Sequence, residues 1–308
     1  MNKVFRIISI LILIITFSGC SKDTSPPGIF ILRDYQTQYN ADKLEIENYL
    51  RSHSIAVDTE FNVTFSPTTL DAPNAIYLQN TYPLLDTLVK QNNIEYHVKY
   101  IKMAQGTRQR ATQVDSVLVN YKGTFLKDTD SQFDASYSPI WFPLQNVISG
   151  WSYIIPNFKT GDFVPATPTT PSSFNAYGAG VMFLPSGLAY YAGGSGSIGA
   201  YTPIVFSFKL YNLQYRDHDR DGILSKDERD LSIEPLVTKK WTINPINYDS
   251  DGDGTANLYD IDEDGDTYTT KSEIKNPLTG LTNPFAVIPD CSGKIGRASC
   301  RERVLMPV

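Results

Sequence analysis

An α+β fold is predicted by this sequence: an antiparallel β-sheet wrapped on one short helix, followed by a small loop-rich segment. Three observations carry the prediction. Ile94–Met103, Ser116–Phe125 and Ile204–Leu213 alternate apolar and polar residues with the period of two expected of half-buried strands. Ser149–Asn157 is the one short helical stretch between them, the pattern of an antiparallel sheet with a helix against it. Acidic residues crowd one end: residues 215–290 hold 17 acidic against 8 basic residues, whereas all 308 residues balance 33 against 27, a net charge of −6.

Composition narrows the function classes. At 41% hydrophobic residues the chain has enough apolar material for a core. Three cysteines cannot build a disulfide scaffold, and the acidic balance excludes the broad basic footprint of a nucleic-acid binder.

The ends stand apart from the fold. Lys3 and Arg6, the apolar run Ile7–Ile15 and small Ser18-Gly19 read as a secretory signal over 1–19, too short and wrongly flanked to span a bilayer. The ending Phe17-Ser18-Gly19-Cys20 resembles a bacterial lipoprotein signal, with Phe17 in place of the usual Leu. That resemblance implies a lipid on Cys20 and, with Ser21 following, the outer membrane, on its periplasmic or surface face. Buried acyl chains contribute about 0.8 kcal/mol per CH₂, so several together anchor firmly. Residues 20–28, with Pro26-Pro27, form a tether. Residues 291–308 are a tail, of which 294–308 turn abruptly basic and resemble read-through of sequencing-adapter DNA. Cys300 is then foreign to the protein and Cys291 is a lone thiol.

Between tether and sheet, residues 29–92 read as an extension or spacer. Leu44, Ile46, Tyr49 and Leu50 lie loosely at helical spacing within Ala41–Arg51, with Asn40 as a cap, and Leu78–Val89 reads as a second helix broken near Pro83. Within the sheet region, 93–214, Val181–Leu184 is a further short apolar strand. Residues 163–179, rich in Pro, Thr, Ser and Gly, read as a long loop. Ala192–Ala200 is a second, glycine-rich loop, which does not follow a strand and open a helix as a phosphate cradle must.

Five motifs occur in order along 93–214: Val119-Asn120-Tyr121-Lys122-Gly123, Phe133-Asp134-Ala135-Ser136, Val147-Ile148-Ser149-Gly150-Trp151, Leu184-Pro185-Ser186-Gly187-Leu188-Ala189-Tyr190 and Ile204-Val205-Phe206. Together they resemble the FKBP-type peptidyl-prolyl isomerases. The resemblance implies an aromatic pocket lined by Tyr121, Phe133, Trp151, Tyr190 and Phe206, with Val147 and Ile148 on one wall. It places a substrate proline over Trp151, substrate carbonyls on the Ile148 N–H and the Tyr190 hydroxyl, and Asp134 as the group that orients the carbonyl dipole and accepts from Tyr121. The implied partners are Pro-containing protein segments, met by a monomer, and no cofactor serves the reaction. Ile140 stands where the family has a pocket phenylalanine, Asn146 where it often has Glu, and Tyr191 replaces a glycine. Ala176-Tyr177-Gly178 is a competing match for the tyrosine motif, set aside for its distance from Phe206.

The acidic segment carries loop patterns. Asp217, Asp219, Asp221, Ile223 through its carbonyl, Ser225 and Glu228 match the oxygen ligands of a twelve-residue calcium loop, with Gly222 at the sharp turn. Asp249, Asp251, Asp253 and Asp260 resemble a thrombospondin type 3 calcium repeat, and Asp262, Asp264, Asp266 and Glu273 form a third pattern in which Thr267 takes the glycine position. His218 is expected exposed and outside the ligand set. The expected role is structural Ca²⁺, since sites of roughly 10⁻⁴ to 10⁻³ M fill outside the cytoplasm. Three readings follow: a membrane-anchored foldase for exported proteins, a non-catalytic module binding Pro-containing segments, or a calcium-dependent spacer.

Overall fold

The computed structural model describes residues 32–127, 131–228, 245–276 and 278–283. The signal, the tether, Cys20, Cys291 and the tail lie outside the described residues.

Among the described residues, the first element is helix α1, Tyr35–Ser52, capped by Asp34, whose carboxylate accepts from the N–H groups of Gln36 (3.1 Å) and Thr37 (2.9 Å). The helix thus starts earlier than the expected Ala41, and Asn40 lies inside it. Strands β1 (His53–Val57) and β2 (Val63–Pro67) pair as a small hairpin. β3 (Leu84–Gln91) follows, where a second helix was expected. The spacing of Leu84, Leu85, Leu88 and Val89 does suit a helix, but Asn92 and Asn93 both take positive φ (55° and 59°), a two-residue turn that folds β3 back on β4 (Ile94–Gln105).

The main sheet is completed by β5 (Ser116–Phe125), β6 (Gln132–Pro143), β9 (Gly178–Leu184) and β10 (Ile204–Gln214), in the order β3-β4-β9-β10-β5-β6 and antiparallel throughout. Pro139 and Pro143 interrupt the alternation of β6, which lies at the edge of the sheet, where both are tolerated. Short strands β7 (Asp162–Val164) and β8 (Ser173–Asn175) form a hairpin inside the stretch expected as a loop.

One helix is not the whole of the packing. Helix α2, Ser149–Ile154, continued by a 3₁₀ turn to Asn157, sets Trp151, Ile154 and Ile155 against Val117, Val119, Leu184, Phe206 and Phe208 on one face. Ile46, Tyr49 and Leu50 of α1 pack with Ile101, Val181, Phe183 and Val205 on the other. The period of two sends neighbours in β9 and β10 to opposite layers, so β9 is apolar on both faces, while β10 sets Val205 into the second layer and carries half-buried Ser207 and Lys209 on that same face. Leu44, expected on the buried stripe, is 61% exposed.

The acidic segment is built of turns, with only helix α3, Thr270–Glu273, among its described elements besides 3₁₀ turns. It belongs to the same compact unit as the sheet. The Arg216 N–H donates to Asp115 at 3.3 Å and the Tyr259 hydroxyl to Gln145 at 3.3 Å.

Candidate active site

Four aromatic rings meet where β5, β6, β10 and α2 converge. Trp151 from α2 lies edge-on to Tyr121 (5.5 Å, 86°) and to Phe206 (5.3 Å, 74°), and Phe133 lies edge-on to Phe206 (5.4 Å, 88°). The strand register explains the convergence: Gly123 of β5 is paired with Phe206 on one side and with Asp134, beside Phe133, on the other. A Cβ on Gly123 would sit 2.5 Å from the Phe133 ring and 2.7 Å from the Phe206 ring, so only glycine lets both rings in. Gly150 does the same for α2, where a Cβ would stand 2.6 Å from Leu184.

The polar edge is made by Asp134, Tyr121 and Tyr190. The Tyr121 hydroxyl donates to Asp134 Oδ2 at 2.6 Å. Burial, then the bond to and the charge of Asp134, hold the Tyr121 hydroxyl above its ordinary pKa. Burial followed by the Asp134 charge does the same to Tyr190, which packs half-buried against the main core. Both tyrosines are therefore hydrogen-bond donors at neutral pH. Val147 and Ile148 also pack against this core. Ile148 is the N-cap residue of α2, its carbonyl accepting from the Trp151 N–H at 3.0 Å. All eight expected pocket residues thus lie around one cluster, Trp151 and Phe206 buried at 3% and 4% and Asp134 exposed.

Sequence reasoning missed two contributors. Phe142 lies 5.7 Å from Tyr121 and 6.1 Å from Trp151, closing the wall that Ile140 leaves open, for Ile140 is 41% exposed. An aromatic two residues beyond the altered position was the available signal. The other is Asp42 of α1. It is 2% exposed and accepts from the Ser186 N–H (2.7 Å), the Ser186 hydroxyl (2.6 Å) and Gln38 Nε2 (2.6 Å). The extension therefore grips the turn that carries Tyr190. Tyr191 has φ 45°, a conformation that favours glycine, and its ring stacks on Tyr35 of α1 at 4.2 Å. The competing Tyr177 packs instead with Phe61 and Tyr211.

Carboxylates converge in the acidic segment. Oxygens of Asp217, Asp219 and Asp221 lie within 4.8 Å of one another, as do those of Asp249, Asp251 and Asp253, and of Asp262, Asp264 and Asp266. Asp260 and Glu273 are not in those groups, although burial and the charges of Asp253 and Asp251 raise the Asp260 pKa. The Ile223 side chain is buried (2%), Gly222 has φ 111° and Thr267 φ 80°, so the threonine holds the left-handed turn expected of a glycine. His218 is half-buried rather than exposed, and its ring Nδ1 pairs with the Ser225 hydroxyl at 2.8 Å. Burial first, then the charge of Asp221, raises the pKa of Asp219, and burial, then the charges of Asp219 and Glu263, raises that of Glu228. Such a set suits a hard cation with oxygen ligands.

Residues 107–210 match the family model of the FKBP-type peptidyl-prolyl cis-trans isomerases. Residues 218–297 match a second model, described as the BamM C-terminal family. The FKBP-type isomerase FkpA of Aeromonas hydrophila is 34% identical over 135 residues, which are 43% of this chain and 42% of that protein. A probable FKBP-type isomerase FkpA of Neisseria meningitidis serogroup B is 31% identical over 120 residues, 38% of each. The chain thus spans about two-fifths of these relatives' length. Among solved structures, an isomerase from Pseudomonas syringae pv. tomato (19% identity, TM-score 0.35, 58% of this chain and 95% of that one) and FkpA from Escherichia coli (20%, 0.35, 59% and 61%) are similar.

Proposed function

We propose that this protein is a peptidyl-prolyl cis-trans isomerase, a foldase of exported proteins held at a membrane through Cys20. The observation that carries it is the cluster of Tyr121, Phe133, Trp151 and Phe206 with the Tyr121–Asp134 bond at its edge, inside the stretch that matches the FKBP-type model.

An X–Pro amide isomerises over tens to hundreds of seconds because twisting it breaks resonance, a barrier of roughly 20 kcal/mol. The twisted amide has less charge separation than the planar one, so a water-poor aromatic floor favours it. The proline ring sits over Trp151 with Val147 and Ile148 beside it. The Ile148 N–H and the Tyr190 hydroxyl hold the flanking carbonyls, while Asp134, fixed by Tyr121, orients the dipole of the turning one. The chemistry is torsional and forms no covalent intermediate.

The acidic segment is read as a calcium-stabilised module. Its support is chemical: Asp219 Oδ2, Asp221 Oδ2 and both Glu228 oxygens are buried without a hydrogen-bond partner, a costly state that a cation relieves. Lipidation of Cys20 and the outer-membrane location rest on the leader sequence. A non-catalytic module that holds Pro-containing segments is the second reading, favoured by the exposed Ile140 and by Tyr191 in the flap. A proline-limited refolding assay separates the two: the isomerase accelerates the slow phase catalytically, and a binder only retains its client.

A further inference from the structure

Glu263 belongs to neither the 217–228 loop pattern nor the expected third pattern, yet it is 2% exposed. One of its carboxylate oxygens lies within 4.8 Å of oxygens from Asp221 and Glu228, themselves 1% and 3% exposed. Asp221 also belongs to the Asp217–Asp219–Asp221 group, so the two sets share a residue. Oε1 of Glu263, Oδ2 of Asp221 and both Glu228 oxygens have no hydrogen-bond partner. Three buried, converging carboxylates with unpartnered oxygens must be neutralised, by protons or by a cation among them, and a cation also supplies the partners those oxygens lack.

The loop itself leaves room for an outside ligand. Ser225, at the ninth position, is fully buried and its Oγ is engaged by His218, accepting from the backbone N–H at 3.1 Å and pairing with Nδ1 at 2.8 Å. The second acidic stretch is fastened where it can supply that ligand. The Glu263 carbonyl accepts from the Ser250 hydroxyl at 2.9 Å, and Lys271 Nζ donates to the Arg220 carbonyl of the first loop at 2.9 Å. A Cβ on Gly222 would meet Thr282 at 2.9 Å, so the loop packs directly on the later segment.

We propose that Glu263 is a ligand of the cation held by the 217–228 loop, making one centre of Asp217, Asp219, Asp221, Glu228 and Glu263. Five carboxylates with flexible spacing suit Ca²⁺, which takes six to eight oxygens, over Mg²⁺, which keeps its waters. The first loop is then not a free-standing calcium loop, and the two acidic stretches order together.

The proposal rests on the calcium reading above, and one experiment separates them. The full chain, stripped with chelator, is titrated with Ca²⁺ by calorimetry as wild type, Glu263→Gln and the remote exposed Glu60→Gln. Glu263→Gln is expected to weaken the tightest site at least tenfold, and Glu60→Gln to leave it unchanged. Equal affinity in wild type and Glu263→Gln overturns the assignment alone; a wild type that takes up no Ca²⁺ overturns the calcium reading with it. Melting curves guard against misfolding: Glu263→Gln should melt at or above wild type in chelator, where it removes a carboxyl crowded by Asp221 and Glu228, and below it in Ca²⁺. A variant that melts below wild type by the same margin in both conditions marks Glu263 as a packing residue and overturns the assignment.

Discussion

Asp134 and Tyr121 are held to each other before any substrate arrives, which makes their contact the natural place to probe the pocket. Tyr121→Phe removes the 2.6 Å bond and little volume. A net loss of about 1 kcal/mol in stability is expected from one such bond. A larger fall in kcat/KM, about tenfold, should appear on a short Pro peptide followed by NMR exchange, because Asp134 is then free to turn away. Gly123→Ala should be worse than its one added carbon suggests. Its Cβ would fall 2.5 Å from the Phe133 ring, so overpacking costs about 1–3 kcal/mol and displaces the pocket wall; chemical denaturation and the same exchange assay measure the two effects. The pH profile follows from the tyrosines. Burial and the Asp134 charge hold the protons of Tyr121 and Tyr190 on above the ordinary tyrosine pKa near 10. Both remain donors as pH rises to that value, and the exchange rate constant should stay level up to it, falling only beyond. A fall centred between pH 8 and 9 would assign the essential donor elsewhere.

At the scale of elements, the sheet strands β4, β5 and β10 were legible because Ile94–Met103, Ser116–Phe125 and Ile204–Leu213 each have one clear alternation, and α2 because it is short and bounded by them. β3 was not, since Leu84, Leu85, Leu88 and Val89 satisfy helical spacing as well. Its tertiary pairing with β4 through the Asn92-Asn93 turn decides the matter. The aromatic cluster was readable from the motifs, whereas Phe142 and Asp42 beside it were not: a strand broken by prolines hid the first, and the second acts across 144 positions of sequence. Asp42 gives α1 a role beyond spacing. Asp42→Ala strands the buried Ser186 N–H and hydroxyl, at a cost of about 1–3 kcal/mol. Because Ser186 begins the turn leading to Tyr190, KM for a peptide substrate should rise along with the loss of stability. A variant that loses stability with unchanged KM would confine α1 to packing.

For the whole molecule, the change in charge falls at the end of β10, while the acidic turns remain in the same compact unit as the sheet. The sheet region carries the aromatic pocket, and the acidic turns after Gln214 gather carboxylates whose burial raises their pKa. The Tyr259–Gln145 contact ties the segment to the turn that precedes Val147 and Ile148, and the Arg216–Asp115 contact ties it to the residue before β5. Chelation should therefore open cleavage sites between Lys226 and Lys275 in limited proteolysis, and equal protection with and without chelator would remove calcium from the account. The central claim is isomerisation, and proline-limited refolding of a client tests it most directly. Wild type is expected to speed the slow phase in proportion to enzyme concentration, and Phe133→Ala/Asp134→Ala to lose at least nine-tenths of that acceleration while remaining folded. Equal rates with wild type and the double variant would contradict it.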